Sequence, residues 1–183
     1  MLSNLFGKKD TGDLPVVFKD KVYLNSAGKI VACLQLAKAN ADCIFIAWFA
    51  GTAATFEKFF IQYGFDTKRI MLAEKMDIAA LQNHQPVFVE HYPLSATELS
   101  LVADWQLTGI PVYSAMDEPL FKHFGSDKMV PLIKLLGFKE SEAIEHSYVT
   151  ASIIKGQNKI AARVLEVQFA ESQAAWMEKN MKE

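Results

Sequence analysis

Glu142, Glu145 and His146 close the stretch FGSDKMVPLIKLLGFKESEAIEH (124–146), and all three are residue types that bind metals or move protons. Glu142 and His146 are four residues apart and can share a helix face, but two ligands make a weak site and spacing marks no third. His84, His91, His123 and His146 are dispersed, with neither HExxH nor HxxEH among them. The residues alone favour a polar cap or turn leading into a long helix, with no metal. A second constellation, Glu90, His91, Asp117 and Glu118, follows two predicted strands and would form a small-molecule or nucleotide site at their carboxyl ends. YLNSAGKI (23–30) stands where a phosphate loop would, between a strand and a helix. It has Tyr23 where the loop needs glycine and Ile30 where magnesium needs a hydroxyl. No GxSxG elbow offers a serine nucleophile.

The elements that must position these residues alternate along the chain. Apolar runs at 16–24, 43–49, 69–74, 86–92 and 110–116 read as strands, and 27–41, 53–65, 76–84 and 95–109 as helices. The last of these opens on Ser95 and Glu98, a capping-box spacing, and closes on Gly109. CIFIAWF (43–49) is apolar throughout, as a central parallel strand covered on both faces should be. The alternation predicts an α/β fold, a parallel sheet with helices on both faces, over residues 15–146, after a flexible arm at 1–14. Residues 118–138 read as short helices broken at Gly125 and Pro131 and ending at Gly137. From Tyr148 to Lys182 there is no proline, so one long helix is expected over 147–183. Some 35 helical residues would extend roughly 50 Å, farther than so small a domain, leaving part to dock elsewhere.

The chain has 183 residues, 51% hydrophobic and 22% charged, with a net charge of −2, so it lacks the basic excess that nucleic-acid binding requires. Its longest apolar run, 43–56, contains Gly51, Thr52 and Thr55 and falls short of the roughly 20 residues that span a bilayer. Without a secretory pattern at the start, the expected location is the cytoplasm. Cys33 and Cys43 have no C-x-x-C spacing and read as buried small hydrophobes.

YSAMDEPLFKHFGSDK (113–128) and LIKLLGFKESEAIEHSYVTASIIKGQNKIAARV (132–164) together resemble SecA, the motor ATPase of bacterial preprotein translocation. That family has a block like S-x-E-D-x-L-M-R-x-F-x-S-D-R, then a helix ending in L-G, an acidic G-E-x-I-E-H stretch and a V-T-x-x-I-x-x-A-Q-x-K-V helix. Asp117, Leu120, Phe124, Ser126, Asp127 and Lys128 fit the first part, and Gly137, Glu142, Ile144, Glu145, His146, Val149, Ile153, Gln157 and Lys159 the rest. The resemblance implies a P-loop NTPase or helicase C-terminal-like fold, the second motor domain joined to a long scaffold helix. Asp127, Lys128, Gly137, Glu142, Glu145 and His146 would then mark the scaffold junction.

The departures from the family bear on activity. A first motor domain, with its phosphate loop and acidic magnesium ligands, has no counterpart in these residues. The G-R-G-T-D block is missing, and LQNHQ (81–85) runs into the next strand. Where the family has Q-L-R-G-R-x-G-R-Q-G, this chain has LVADWQLTG (101–109), with Asp104 and Gln106 in place of arginines. An acid there repels a phosphate. The resemblance therefore implies a degenerate ATPase with no cofactor, acting as a protein-binding or regulatory module; weak ATP or ADP binding stays open. The expected partner is a translocase component or a second copy, docked on the C-terminal helix.

Overall fold

The structure, a computed structural model, describes residues 17–181; the arm expected at 1–14 lies outside them. Five strands, β1 (Phe18–Tyr23), β2 (Cys43–Ala47), β3 (Ile70–Leu72), β4 (Gln85–Phe88) and β5 (Ile110–Ala115), form one sheet in the order β1-β5-β4-β2-β3. Every ladder in it is parallel. Side chains alternate between faces along each strand. Phe45, Val87, Val89 and Tyr113 therefore meet Cys33, Leu34, Phe56 and Phe60 of helices α1 (Ser26–Ala39) and α2 (Ala50–Gln62). Ile44, Ile46, Phe88 and Val112 face the other way, toward Val102 of α3 (Ser95–Val102) and Trp105. Both faces are covered, which is why β2 needs no polar alternation: all five of its residues are buried.

A third cluster covers the carboxyl ends of the strands. Leu120 and Phe121 of α4 (Pro119–His123) pack there with Val22, Leu24, Phe49, Ile153, Ile160 and Trp176. Gly125 adopts φ 84° and lets the chain turn into α5 (Ser126–Leu135), which ends before Gly137 at φ 89°. Pro131 sits inside α5 and does not break it, the helix forgoing one backbone bond there. Residues 76–84 form turns, with Asp77 accepting from the Ala80 N–H and Asn83 at φ 64°, where a helix was expected.

The single helix expected over 147–183 is two helices, α6 (Ser147–Ala161) and α7 (Gln173–Asn180). The reason is burial. Ile153, Gly156, Gln157 and Ile160 spend the inward face of α6 on the domain, and beyond Ala162 a continuing helix would find nothing to cover it. Turning back at 162–172 instead brings Ala170 and Trp176 into the cluster that holds Ile160. Gly156, costly in a helix by propensity, is explained by contact: a Cβ there would overlap the Phe124 ring.

Candidate functional site

The carboxyl ends of β1, β2, β4 and β5 are where ligands bind in open parallel sheets, and here they hold two buried polar networks. The first begins at the amino end of α1. Asn25 caps the helix by accepting from the Gly28 N–H at 2.8 Å. The Ser26 N–H and hydroxyl both donate to the Asp117 carboxylate, at 3.0 and 2.7 Å. A Cβ on Gly28 would strike the Glu140 carbonyl, so the backbone passes too close for any other residue. One residue on, Lys29 points inward. Its Nζ donates to Glu118 Oε1 at 2.5 Å and to the Val89 carbonyl at 2.6 Å, over the Phe56 ring. Burial works against the Lys29 charge, but Glu118 and Glu90 outweigh it and raise its pKa. Burial raises the Glu118 carboxyl against the pull of Lys29. An ammonium at 2.5 Å and the Ala115 N–H at 3.0 Å both donate to that one oxygen.

Glu90 occupies the corresponding place before α2. Its Oε1 accepts from the Trp48 and Phe49 N–H groups at 3.0 and 3.1 Å, and Oε2 from the Thr52 hydroxyl at 2.7 Å. The Gly51 N–H goes to the Glu171 carbonyl at 2.8 Å. Burial pushes the Glu90 carboxyl up to about 7, with Lys29 opposing and Glu118 reinforcing the rise.

The second network centres on His91, which is 2% exposed. Its Nε2 lies 2.9 Å from Asp20 Oδ1 and its Nδ1 3.0 Å from Glu98 Oε1. With a carboxylate on each nitrogen the ring is an imidazolium: burial lowers its pKa, but the Glu98 charge and the Asp20 hydrogen bond reverse that and lift it to about 10. Glu98 is further satisfied by the Tyr92 N–H at 2.7 Å and by Gln157 Nε2 at 2.9 Å. Asp20, His91, Glu98 and Gln157 border a cavity of 310 Å³ between β1, α3 and α6. Gln173 of α7 completes the cover, donating to the His91 carbonyl and accepting from the Leu120 N–H.

Of the four acid and histidine residues proposed for a small-molecule site, Glu90, His91 and Glu118 are buried in these networks and Asp117 is an exposed cap of α1. They are neighbours at one end of the sheet, but only His91 borders the cavity. Glu142 and His146 do not share a helix face. Glu142 accepts from the Lys139 N–H, and His146 is the N-cap of α6, accepting from the Tyr148 N–H. Between them Ile144 forms an antiparallel bridge with Val22, and Glu145 reaches Lys21 at 3.1 Å and Lys19 at 3.8 Å. The acidic stretch thus lies along the open edge of β1 and covers it. Asp127 and Lys128 are in the first turn of α5. Asp104 and Gln106 are exposed in the turn before β5, at the opposite end of the sheet from the networks, with Gln106 at φ 53°.

Sequence reasoning missed Asp20, Lys29, Glu98, Gln157 and Gln173. Two of these carry a visible signal: Lys29 falls four residues before buried Cys33, and Gln157 lies between Ile153 and Ile160 on the inward stripe of α6. Glu98 was obscured by its capping-box spacing, but Leu94 is the N-cap and no side-chain cap bond forms. The Ser95 hydroxyl turns to Asn158 instead.

The fold is that of an α/β protein with an all-parallel five-stranded sheet flanked by helices, consistent with the P-loop and helicase-like class. No protein-family model matches the chain. Among curated proteins, the protein translocase subunit SecA of Acidithiobacillus ferrooxidans (strain ATCC 53993 / BNL-5-31) is similar at 45% identity over 56 residues, 31% of this chain and 6% of that protein. SecA of Methylococcus capsulatus is 39% and SecA of Ehrlichia canis 36% identical, over the same extent of each. A region of this chain is therefore SecA-related, and it spans a small part of the length of those relatives. No helix among the described residues is long and apolar enough to cross a membrane.

Proposed function

We propose that the chain is a SecA-related, catalytically degenerate module that binds protein partners and is linked to preprotein translocation, without ATP hydrolysis of its own. The observation that carries the reading lies at the carboxyl ends of the strands. Anions bind where helix amino termini present free N–H groups. Here the Ser26 N–H is taken by the chain's own Asp117 carboxyl group, the Trp48 and Phe49 N–H groups by Glu90, and the Gly51 N–H by the Glu171 carbonyl. A nucleotide phosphate would have to displace these groups and would meet like charge.

On this reading Asp104 and Gln106 are the degenerate positions. Asp127, Lys128, Gly137, Glu142, Glu145 and His146 are retained as the junction that sets the sheet edge and starts α6. A partner, a translocase component or a second copy, would be met by the C-terminal helices in the cytoplasm. Isothermal titration with ATP and ADP tests the reading, and neither heat of binding nor turnover is expected. Micromolar affinity with phosphate release would refute it.

A further inference from the structure

We propose that two copies of this chain associate, the exposed segment 165–169 of one lying in a groove between α5 and α6 of the other. The inference rests on the protein-binding reading above and names its partner and surface, but its test is independent of the nucleotide titration.

The groove has a volume of 660 Å³, within the range of pockets that enclose a few large groups. Phe121, Phe124, Ile144 and Ile153 form its floor, and Met129 of α5, half exposed at 51%, stands on its rim. Its charged lining is one-sided: Lys155 and Lys159 border it and no carboxylate does. An occupant should therefore bring large apolar side chains with acids beside them.

The chain carries such a segment. Leu165, Val167 and Phe169 are 102%, 48% and 73% exposed, with Glu166 and Glu171 exposed among them. Leu165 and Glu166 lie in a bend and Val167 to Phe169 follow without regular structure, so the three large apolar groups stand out from a loop. The segment is held in place while its side chains have little to pack on. The Gln168 N–H donates to Asn180 Oδ1 at 2.7 Å, Asn180 Nδ2 returns a bond to the Gln168 carbonyl at 3.1 Å, and Lys179 holds the Phe169 carbonyl at 3.0 Å.

The segment is short enough for the groove. Even fully extended at about 3.3 Å per residue, Leu165 to Phe169 would cover about 13 Å, and the bend at Leu165 and Glu166 shortens it. The α6 wall of the groove, Val149 to Lys159, runs about 15 Å at the helical rise. A copy cannot fill its own groove in this way, because Asn180 ties the segment to α7 and Trp176 and Gln173 tie α7 to the domain. Each copy offers both halves, so a reciprocal pair satisfies both at once.

Sedimentation velocity on the full chain, over a concentration series into the hundreds of micromolar, reads the outcome. Self-association to twice the monomer mass is expected in wild type. Phe169→Asp and Met129→Asp, both at exposed positions and checked for fold by circular dichroism, should each return it to monomer. Lys155→Glu should weaken association by about tenfold or more, and adding Glu166→Lys should restore most of it. A chain that stays monomeric throughout overturns the proposal. So does association that survives both aspartate variants. A groove that takes an acidic apolar peptide while the chain itself remains monomeric overturns it too, and assigns the surface to another partner.

Discussion

Replacing Lys29 with methionine keeps the aliphatic stem against Phe56 and deletes the ammonium. The consequence falls on Glu118, which is 7% exposed. Its Oε1 would keep only the Ala115 N–H, and its Oε2 already lacks a partner. The Val89 carbonyl would lose its donor as well. Removing one partner of a buried ion pair costs about 3–5 kcal/mol, because the remaining charge is left uncompensated. The carboxyl has one escape, which is to take up a proton. From its ordinary value of 4.5, holding it protonated at pH 7 costs about 3.4 kcal/mol, and at pH 5 about 0.8 kcal/mol.

The penalty therefore depends on pH in a definite direction. In the variant the folded carboxyl has a pKa above its unfolded value. Below about pH 4.5 both states are protonated and the charge penalty vanishes, leaving only the lost donor to Val89; as pH rises, only the unfolded state ionises and stability declines. Urea unfolding of wild type and K29M at pH 5 and pH 7 should show a gap that widens toward pH 7, by no more than about 2.6 kcal/mol, because burial already raises the Glu118 carboxyl in wild type. The double variant K29M/E118Q, which keeps an acceptor for Ala115 but carries no charge, should recover much of the loss and show no such trend. A K29M penalty below about 1 kcal/mol at pH 7, or one equal at both pH values, would refute the assignment of a buried, ionised pair.

Two further tests address the rest of the site. Because the His91 imidazolium is held to about 10, the stability it supplies is complete below its ordinary 6.5 and is lost as pH rises through about 10. Its ring resonances should accordingly stay in the protonated position between pH 6 and 8 in NMR, and movement near 6.5 would remove the ion triad. Gly156→Ala should destabilise by about 1–3 kcal/mol in spite of the better helix propensity of alanine, since the Cβ must push the Phe124 ring aside. A gain in the thermal midpoint would show that the ring gives way freely.

The alternation of strands and helices was legible because both faces of the sheet are covered, which leaves runs such as CIFIA without polar interruption. The break after Ala161 was not, because it is caused by the end of the surface α6 packs on and is marked by neither Gly nor Pro. The same limit applied to the site. Spacing along the chain drew Glu142 and His146 together, whereas the structure separates them by the Ile144 bridge to Val22. It could not join Asp20 to His91, 71 positions apart, or Lys29 to Glu118, 89 apart. Those pairs exist because β1 and β5 are adjacent and β4 follows next in the sheet, a fact of topology that no local pattern records.

The two glutamines of the C-terminal helices tie the carboxyl end of the sheet to the outer surface of the domain. Gln157 joins α6 to Glu98 and the Tyr92 carbonyl, and Gln173 joins α7 to the His91 carbonyl and the Leu120 N–H. Both are almost wholly buried, so detaching either helix would leave several polar groups unpaired at about 1–3 kcal/mol each. That closes the carboxyl end of the sheet with protein where an open parallel sheet would admit a ligand. It also fixes α6 with Lys155 and Lys159 beside the groove, and fixes α7 with Asn180 holding the 165–169 segment outward. The cover over the carboxyl end of the sheet and the placement of the groove and the 165–169 segment then share the same two glutamine anchors. A substitution such as Gln173→Leu should therefore weaken the proposed self-association in sedimentation velocity, and association equal to wild type would show that α7 is held without it.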